Sequence, residues 1–418
     1  MPLQQSTFLL RPSFSRLSRR TYTAASEQYA RESGVPRRIH VYGVGSVGKL
    51  IAHSLRGDNN SPPPVTLLFH RPRLLNEWNR SRRSIVLETD GHRVARDGFD
   101  VELAIPPQRS HGARINQDAD DVAYDPSNSD PIDSLIVTSK APVTLAALDA
   151  VKHRLRPEST VCLLQNGMGI IDQLNQEIFP DPATRPNYIQ GVVTHGLNSP
   201  DRDDPFFAVH AAHGTIALAA LPRGQLKDNP PAAVPFASTS RYLLRTLTGL
   251  PVLAAVGLPP IEFMQQQLEK LAINAVINPL TVMLDAPNGS ILYNFAVTRT
   301  MRLLLAEISL VIRSLPELRA LPNIQDRFSP ERLETLVVSI ADKTRSNISS
   351  MLADVRSGRK TEVRFINGYI VRRGEEMGMR CVCNYMMMQL VEGKVNMIQR
   401  EMLDQVPVDR DDANAYHM

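Results

Sequence analysis

Cysteine is scarce in this chain: Cys162, Cys381 and Cys383 are the only three in 418 residues. Three thiols without paired spacing build neither a disulfide framework nor a metal motif, so they read as free thiols in a reducing compartment. Long apolar runs are missing as well. The longest uncharged stretch of note, Leu271 to Leu284, contains Asn274, Asn278 and Pro279, and it is shorter than the roughly 20 residues that cross a bilayer. Acidic residues are absent before Glu27. Residues 1–38 carry Arg11, Arg16, Arg19, Arg20, Arg31, Arg37 and Arg38 against Glu27 and Glu32, a surplus of five in a chain whose net charge is +4. The body of the protein is therefore close to neutral, with no general attraction for a nucleic-acid backbone. Its hydrophobic content of 43% and charged content of 22% are those of an ordinary globular chain.

The basic leader interleaves Phe8, Leu9, Leu10, Phe14 and Leu17 with arginine and Ser/Thr. That composition predicts an organelle (mitochondrial) transit peptide, with the cytoplasm as the alternative address and a cleavage region just after Arg19-Arg20. The folded part is expected to start at Arg38. Short β-prone runs at Ile39–Tyr42, Val65–Phe69, Ser134–Val137 and Thr160–Leu164 alternate with helix-length connections. Such alternation predicts an α/β domain, a Rossmann-type doubly wound parallel sheet, over 38–256. Polar or Pro-rich stretches at 109–129, 199–205 and 224–235 read as surface insertions. After a last strand-like run at Val252–Val256, Pro259-Pro260 opens an all-helical domain over 257–402, followed by a tail, 403–418. One helical pattern runs through Leu333, Leu336, Val337, Ile340, Ile348, Met351, Leu352 and Val355, mostly on one face.

Gly43-Val44-Gly45-Ser46-Val47-Gly48 follows the first strand and opens a helix. In that context the first glycine permits the tight turn and the second lets backbone approach a pyrophosphate. The third permits close helix–strand packing, and the helix N-terminus offers unpaired N–H groups. A dinucleotide is the expected cofactor. The second strand ends Phe69-His70-Arg71-Pro72-Arg73, without the acid that would accept from a ribose 2′-hydroxyl. An arginine there suits a 2′-phosphate, so Arg71 favours NADP (NADPH). Lys140 and Asn166 stand at the carboxyl ends of two further strands, where an open α/β sheet places its ligand.

The sharpest segment is Lys270-Leu271-Ala272-Ile273-Asn274-Ala275-Val276-Ile277-Asn278-Pro279-Leu280-Thr281. On a helix Lys270 and Asn274 stack, with Asn278 slightly rotated on the same side of an otherwise apolar element. Three polar groups on such a helix need partners or a ligand. This segment, with Pro287-Asn288-Gly289, Asn347 to Asp354, Thr361 to Gly368 and Asn166 to Gly169, resembles the ketopantoate reductase family; Leu87 to Gly91 and Thr194-His195 look like family features too. The resemblance covers roughly 38–400, apart from the insertions.

That resemblance implies NADPH-dependent reduction of 2-dehydropantoate to (R)-pantoate for coenzyme A synthesis, with Lys270 as general acid and Glu362 as its acidic partner. It assigns the substrate's hydroxyl to Asn274 and Asn278 and its carboxylate to Ser350 with Asn347 nearby. Asn166, Lys140 and Glu362 would lie beside the nicotinamide and ribose. Two other readings stay open: reduction of a different branched 2-keto acid, and a non-catalytic NADP-binding mitochondrial factor. The expected partner is a small 2-keto acid, with no nucleic acid and no membrane insertion, and a homodimer is possible. His195 and His210 read as packing residues, without metal-ligand spacing around them.

Overall fold

A computed structural model describes residues 19–57, 61–105, 128–200, 204–222 and 236–404. The tail from 405, most of the stretches expected as insertions at 109–129 and 224–235, and residues 201–203 of the third lie outside the described residues, as does the leader before Arg19. No helix among the described residues is long and apolar enough to cross a membrane.

Folded structure begins earlier than Arg38. Helix α1 (Arg19–Ser33) leads into β1 (Ile39–Tyr42), and Ala30 and Val35 are buried. Arg245 stacks its guanidinium over Tyr29, 4.4 Å from the ring centre. The arginine-rich composition hid this because its apolar positions are few and their partners lie two hundred residues away.

The α/β domain continues with α2 (Ser46–Arg56), β2 (Val65–Phe69), α3 (Pro72–Arg80), β3 (Ile85–Thr89), β4 (His92–Arg96), β5 (Asp100–Leu103), β6 (Ser134–Val137), α4 (Ala141–Val151) and β7 (Thr160–Leu163). Next come α5 (Ile170–Gln173), β8 (Asn187–Val193), β9 (Gly196–Asn198), β10 (Phe207–Ala212), β11 (Ile216–Ala220), α6 (Ser238–Thr248) and β12 (Ala255–Gly257). The main sheet runs β12-β11-β8-β7-β6-β1-β2-β5. All its neighbours are parallel except β8 and β11. Strands β1, β2, β6 and β7 are buried along their whole length, because apolar side chains cover both faces of the sheet. The chain leaves β1 toward β2 on one side and returns to β6 on the other. That reversal opens a crevice at the carboxyl ends of β1 and β6, the usual ligand position in such sheets.

A second sheet, β4-β3-β10-β9, was not foreseen. Its hairpin β3–β4 turns at Asp90 and Gly91, both with positive φ (52° and 78°), the primed geometry that matches strand twist. The sheet packs on α2, where His53 Nε2 meets the Val94 carbonyl at 2.9 Å.

The helical domain consists of α7 (Pro260–Leu284), α8 (Phe295–Ser314), α9 (Ile324–Arg327), α10 (Pro330–Lys343), α11 (Ser350–Arg356), α12 (Val363–Glu376) and α13 (Val382–Asp404). Its core gathers Leu271, Ala275, Ile308, Ile312, Val337, Leu352, Ile370 and Val391 around α7. The pattern expected as one helix through 333–355 is two. Helix α10 ends at Lys343, and Ser349 caps α11 by accepting from the Leu352 N–H at 3.1 Å. Ile348, between them, is exposed. Serine side chains that bond local backbone favour such a restart over continuation.

Candidate active site

The site assembles from loops at the carboxyl ends of β1, β6, β7 and β8 and from one face of the helical domain. Each loop is shaped by a local requirement. A Cβ on Gly48 would lie 1.9 Å from the Gly43 carbonyl oxygen, and one on Gly43 would lie 2.7 Å from the Ser139 nitrogen. The turn thus closes only with glycine at both positions, against the loop that follows β6. Among the described residues a Cβ on Gly45 would meet nothing within 4 Å, so no packing between them asks for glycine there, whereas a closely approaching ligand does. Helix α2 starts with no side-chain cap and no acid in its first turn, leaving donors for an anion. These features fit a dinucleotide pyrophosphate. Arg71 occupies the N-cap position of α3, directly beyond β2, and its side chain is exposed.

After β7, Gly167 carries φ 83° and sits where a Cβ would be 2.5 Å from the Phe365 carbonyl oxygen. This close approach docks the loop onto the first turn of α12, and the Met168 N–H donates to Phe365 O at 2.8 Å. Asn166 is thereby aimed into the cleft. Its Oδ1 accepts from Lys270 Nζ at 2.8 Å and its Nδ2 donates to Glu362 Oε2 at 3.0 Å. Lys270 also donates to the Val193 carbonyl at 2.6 Å. Glu362 Oε1 accepts from the Ala141 N–H at 3.2 Å. An ammonium has three N–H donors; among the described residues two are engaged by these partners, and the third is available to the cleft.

Electrostatics follow from this enclosure. Burial lowers the Lys270 ammonium to about 8, against a smaller upward pull from Glu362. Burial also raises the Glu362 carboxyl, opposed by Lys140, Asn166 and the Ala141 N–H. Lys270 keeps partial exposure because it opens on the small cavity lined by Gln165, Asn166, Gly167, Gln267, Lys270 and Asn274. Lysine whose proton affinity is drawn toward neutrality suits acid–base work.

The structure brings Lys270, Asn274, Asn166 and Glu362 together. The lysine and glutamate meet only through Asn166, a link that sequence reading did not supply. Asn278 is buried on the same helix, one turn beyond Asn274, outside the residues lining the cavity. Ser350 is exposed at the start of α11 and Asn347 is exposed just before it; the buried hydroxyl is Ser349, bonded to Thr281 Oγ1 at 2.7 Å. Lys140 is no loose surface lysine, since it pairs with the buried Asp354, whose other oxygen takes Arg359 at 3.1 Å. Asp354 was not among the expected site residues, although it ends the Asn347 to Asp354 motif. His195 and His210 form a buried pair, Nδ1 to Nε2 at 3.0 Å, and His195 Nε2 meets the Leu253 carbonyl at 3.0 Å.

A glycine-turn nucleotide domain facing a helical domain with a part-buried lysine at the cleft is an arrangement suited to an α/β oxidoreductase. Sequence comparison then gives the family. Residues 39–223 match the family described as "Ketopantoate reductase PanE/ApbA", and 262–395 match its C-terminal domain. The chain belongs to the ketopantoate reductase family, whose members use a nicotinamide cofactor. It is 26% identical over 361 residues to a "Probable 2-dehydropantoate 2-reductase" of Schizosaccharomyces pombe, covering 86% of this chain and 97% of the relative. It is also 26% identical over 388 residues to the "Ketoisovalerate reductase" of Beauveria bassiana, with 82% and 79% covered. Among solved structures, D-mandelate dehydrogenase in a ternary structure with NADH and anilino(oxo)acetate has the same fold: TM-score 0.64, 17% identity, 86% of this chain and 99% of that one covered.

Proposed function

We propose that this oxidoreductase reduces 2-dehydropantoate to (R)-pantoate with NADPH. The observation that carries the reading is the third, uncommitted N–H of Lys270, held at the cleft by Asn166 and Val193. Held at the Gly43–Gly48 turn, a nicotinamide cofactor would supply hydride to the C2 ketone. Hydride addition places a full negative charge on the ketone oxygen, and a fixed cationic donor stabilises that charge as it develops. Lys270 then gives its proton to the oxygen. Asn166 holds the ammonium in place and, through its amide, couples it to the Glu362 carboxylate. Asn274, one helical turn along, offers an amide to the substrate hydroxyl, while Asn347 and Ser350 stand at the start of α11 for its carboxylate.

The S. pombe relative's name supports ketopantoate, and the B. bassiana relative's name supports ketoisovalerate, which lacks the hydroxyl. The polar Asn274 at the cavity favours the hydroxylated acid, because a site built to bond a hydroxyl rejects analogues without one. NADPH oxidation by the purified protein with each acid tests this. Ketopantoate should give the higher kcat/KM by tenfold or more, and a preference for ketoisovalerate would overturn the choice. For the cofactor, the basic end of β2, His70-Arg71 without an acid, supports NADPH; equal kcat/KM with NADH would refute it.

The arginine-rich leader supports a mitochondrial address. Cleavage after Arg20 would leave Ala30 and Val35 in their buried positions. A reporter carrying residues 1–38 should enter mitochondria, and a cytosolic signal would end that reading. For the homodimer, support lies in Val382, Met386, Leu390 and Met397, exposed along one face of α13; a monomer in sedimentation at micromolar concentration would remove it.

A further inference from the structure

Lys49 follows the last glycine of the nucleotide turn, and its side chain is buried. A cation in the first turns of a helix opposes the helix dipole, and α2 has no acid there to offset it. Burying an ammonium is costly unless its donors are satisfied. All three are: Lys49 Nζ donates to Ser199 Oγ at 2.8 Å, to the Pro205 carbonyl at 3.0 Å and to the Phe207 carbonyl at 2.7 Å. Desolvation lowers its ammonium to about 8, with Asp204 pulling the other way. The fold thus accepts an adverse charge directly behind the pyrophosphate cradle.

Ser199 Oγ lies 2.9 Å from Ser46 Oγ, the first residue of α2. Lysine can only donate, so Ser199 accepts from it. One hydrogen is then consumed between the two hydroxyls, whichever serine provides it. Among the described residues the other hydroxyl hydrogen has no acceptor, and Ser46, which carries one of the two hydroxyls, directly follows Gly45 in the turn. With an anion at that place, both the leftover donor and the buried charge become favourable.

We propose that Lys49, Ser199 and Ser46 form a braced hydroxyl pair that donates to the cofactor's pyrophosphate, making Ser199, beyond β9 and outside the glycine motif, a positioning residue for the dinucleotide. It rests on dinucleotide binding at the Gly43–Gly48 turn, independently of the choice between NADPH and NADH. The brace also accounts for the position of the chain around Ser199 and Pro205, which the sequence marks only as a surface insertion: its backbone carbonyl and hydroxyl are the acceptors that make Lys49 tolerable.

Calorimetric titration of the full chain with ADP-ribose, which contains a pyrophosphate, and with adenosine 2′-phosphate, which does not, tests the assignment. Ser199→Ala should weaken ADP-ribose about tenfold, the loss of one hydrogen bond to a charged group, and leave adenosine 2′-phosphate within about twofold. Ser199→Thr, which keeps the hydroxyl, should restore ADP-ribose binding. Lys49→Met should show the same ligand selectivity with a larger loss; if it fails to fold, the Ser199 pair decides alone. Unchanged ADP-ribose affinity in Ser199→Ala, or equal weakening of both ligands, overturns the proposal. Wild type that binds ADP-ribose but not adenosine 2′-phosphate refutes the NADPH preference while leaving the Ser199 comparison intact. Wild type that binds neither overturns both.

Discussion

Replacing Lys270 with methionine keeps the length of the side chain and removes its charge and donors. The structure sets the magnitude. Two N–H groups hold Asn166 Oδ1 and Val193 O at 2.8 and 2.6 Å, and the third faces the cleft. Removing one such donor to a developing oxyanion typically costs 10²–10³ in rate, and general acid catalysis contributes about 10²–10⁴. Both belong to one group and do not multiply fully. The expected fall in kcat is therefore about 10³–10⁴, roughly 4–5.5 kcal/mol of transition-state stabilisation. KM should change by less than about tenfold, because the interaction strengthens mainly as charge develops. The assay is stopped-flow oxidation of NADPH with ketopantoate, accompanied by a thermal melt to confirm folding. A pH series adds a second signature. Reduction needs the ammonium, which dominates below about 8. Wild-type kcat/KM should therefore be flat below that pH and fall toward tenfold per unit above it, and the residual rate of the variant should lack that limb. A folded Lys270→Met enzyme with kcat within tenfold of wild type, or a wild-type rate that rises through pH 8, would refute the reasoning.

Three further outcomes follow from other parts of the structure. Gly48→Ala places a Cβ 1.9 Å from Gly43 O; since backbone must shift to admit it, ADP-ribose binding in a titration should weaken at least about a hundredfold (roughly 2.7 kcal/mol) or the protein should fail to fold, and wild-type affinity would contradict the cradle geometry. Asp354→Asn leaves Lys140 and Arg359 without their shared carboxylate; with both cations partly exposed, denaturant unfolding should show a loss of about 1–3 kcal/mol, and no change in midpoint would mean the interdomain pair is silent. Burial lowers His195 and, with the help of His195 and His213, holds His210 at about 4. Both stay neutral when folded, so their contribution is intact above pH 6.5 and is lost as pH falls toward 4. The melting temperature should drop through that window, less steeply in His210→Gln, and parallel curves would rule the pair out as the cause.

What could be read from the chain was local in sequence. The Gly43–Gly48 turn is legible because strand, tight turn and helix follow one another within twenty residues, and each glycine answers a backbone need at its own position. Lys270 and Asn274 are legible as a pair because helical periodicity alone stacks residues four apart. The break between α10 and α11 was misread because apolar spacing continued across it, while the capping hydroxyl of Ser349 ended the helix. The second sheet escaped notice because β3 and β10 are distant in sequence and pair only in the fold.

The sequence by itself determined the chemistry available: a nucleotide turn, a lysine on an apolar helix and the acid at Glu362. Only the tertiary structure decided how they meet. Asn166 lies 104 residues from Lys270 and 196 from Glu362, and Lys49 finds its acceptors about 150 residues away. Periodicity reports which face a side chain takes within its own element. Which face of another element lies opposite is fixed by packing of the two cores, and that is where the charges here acquire their partners.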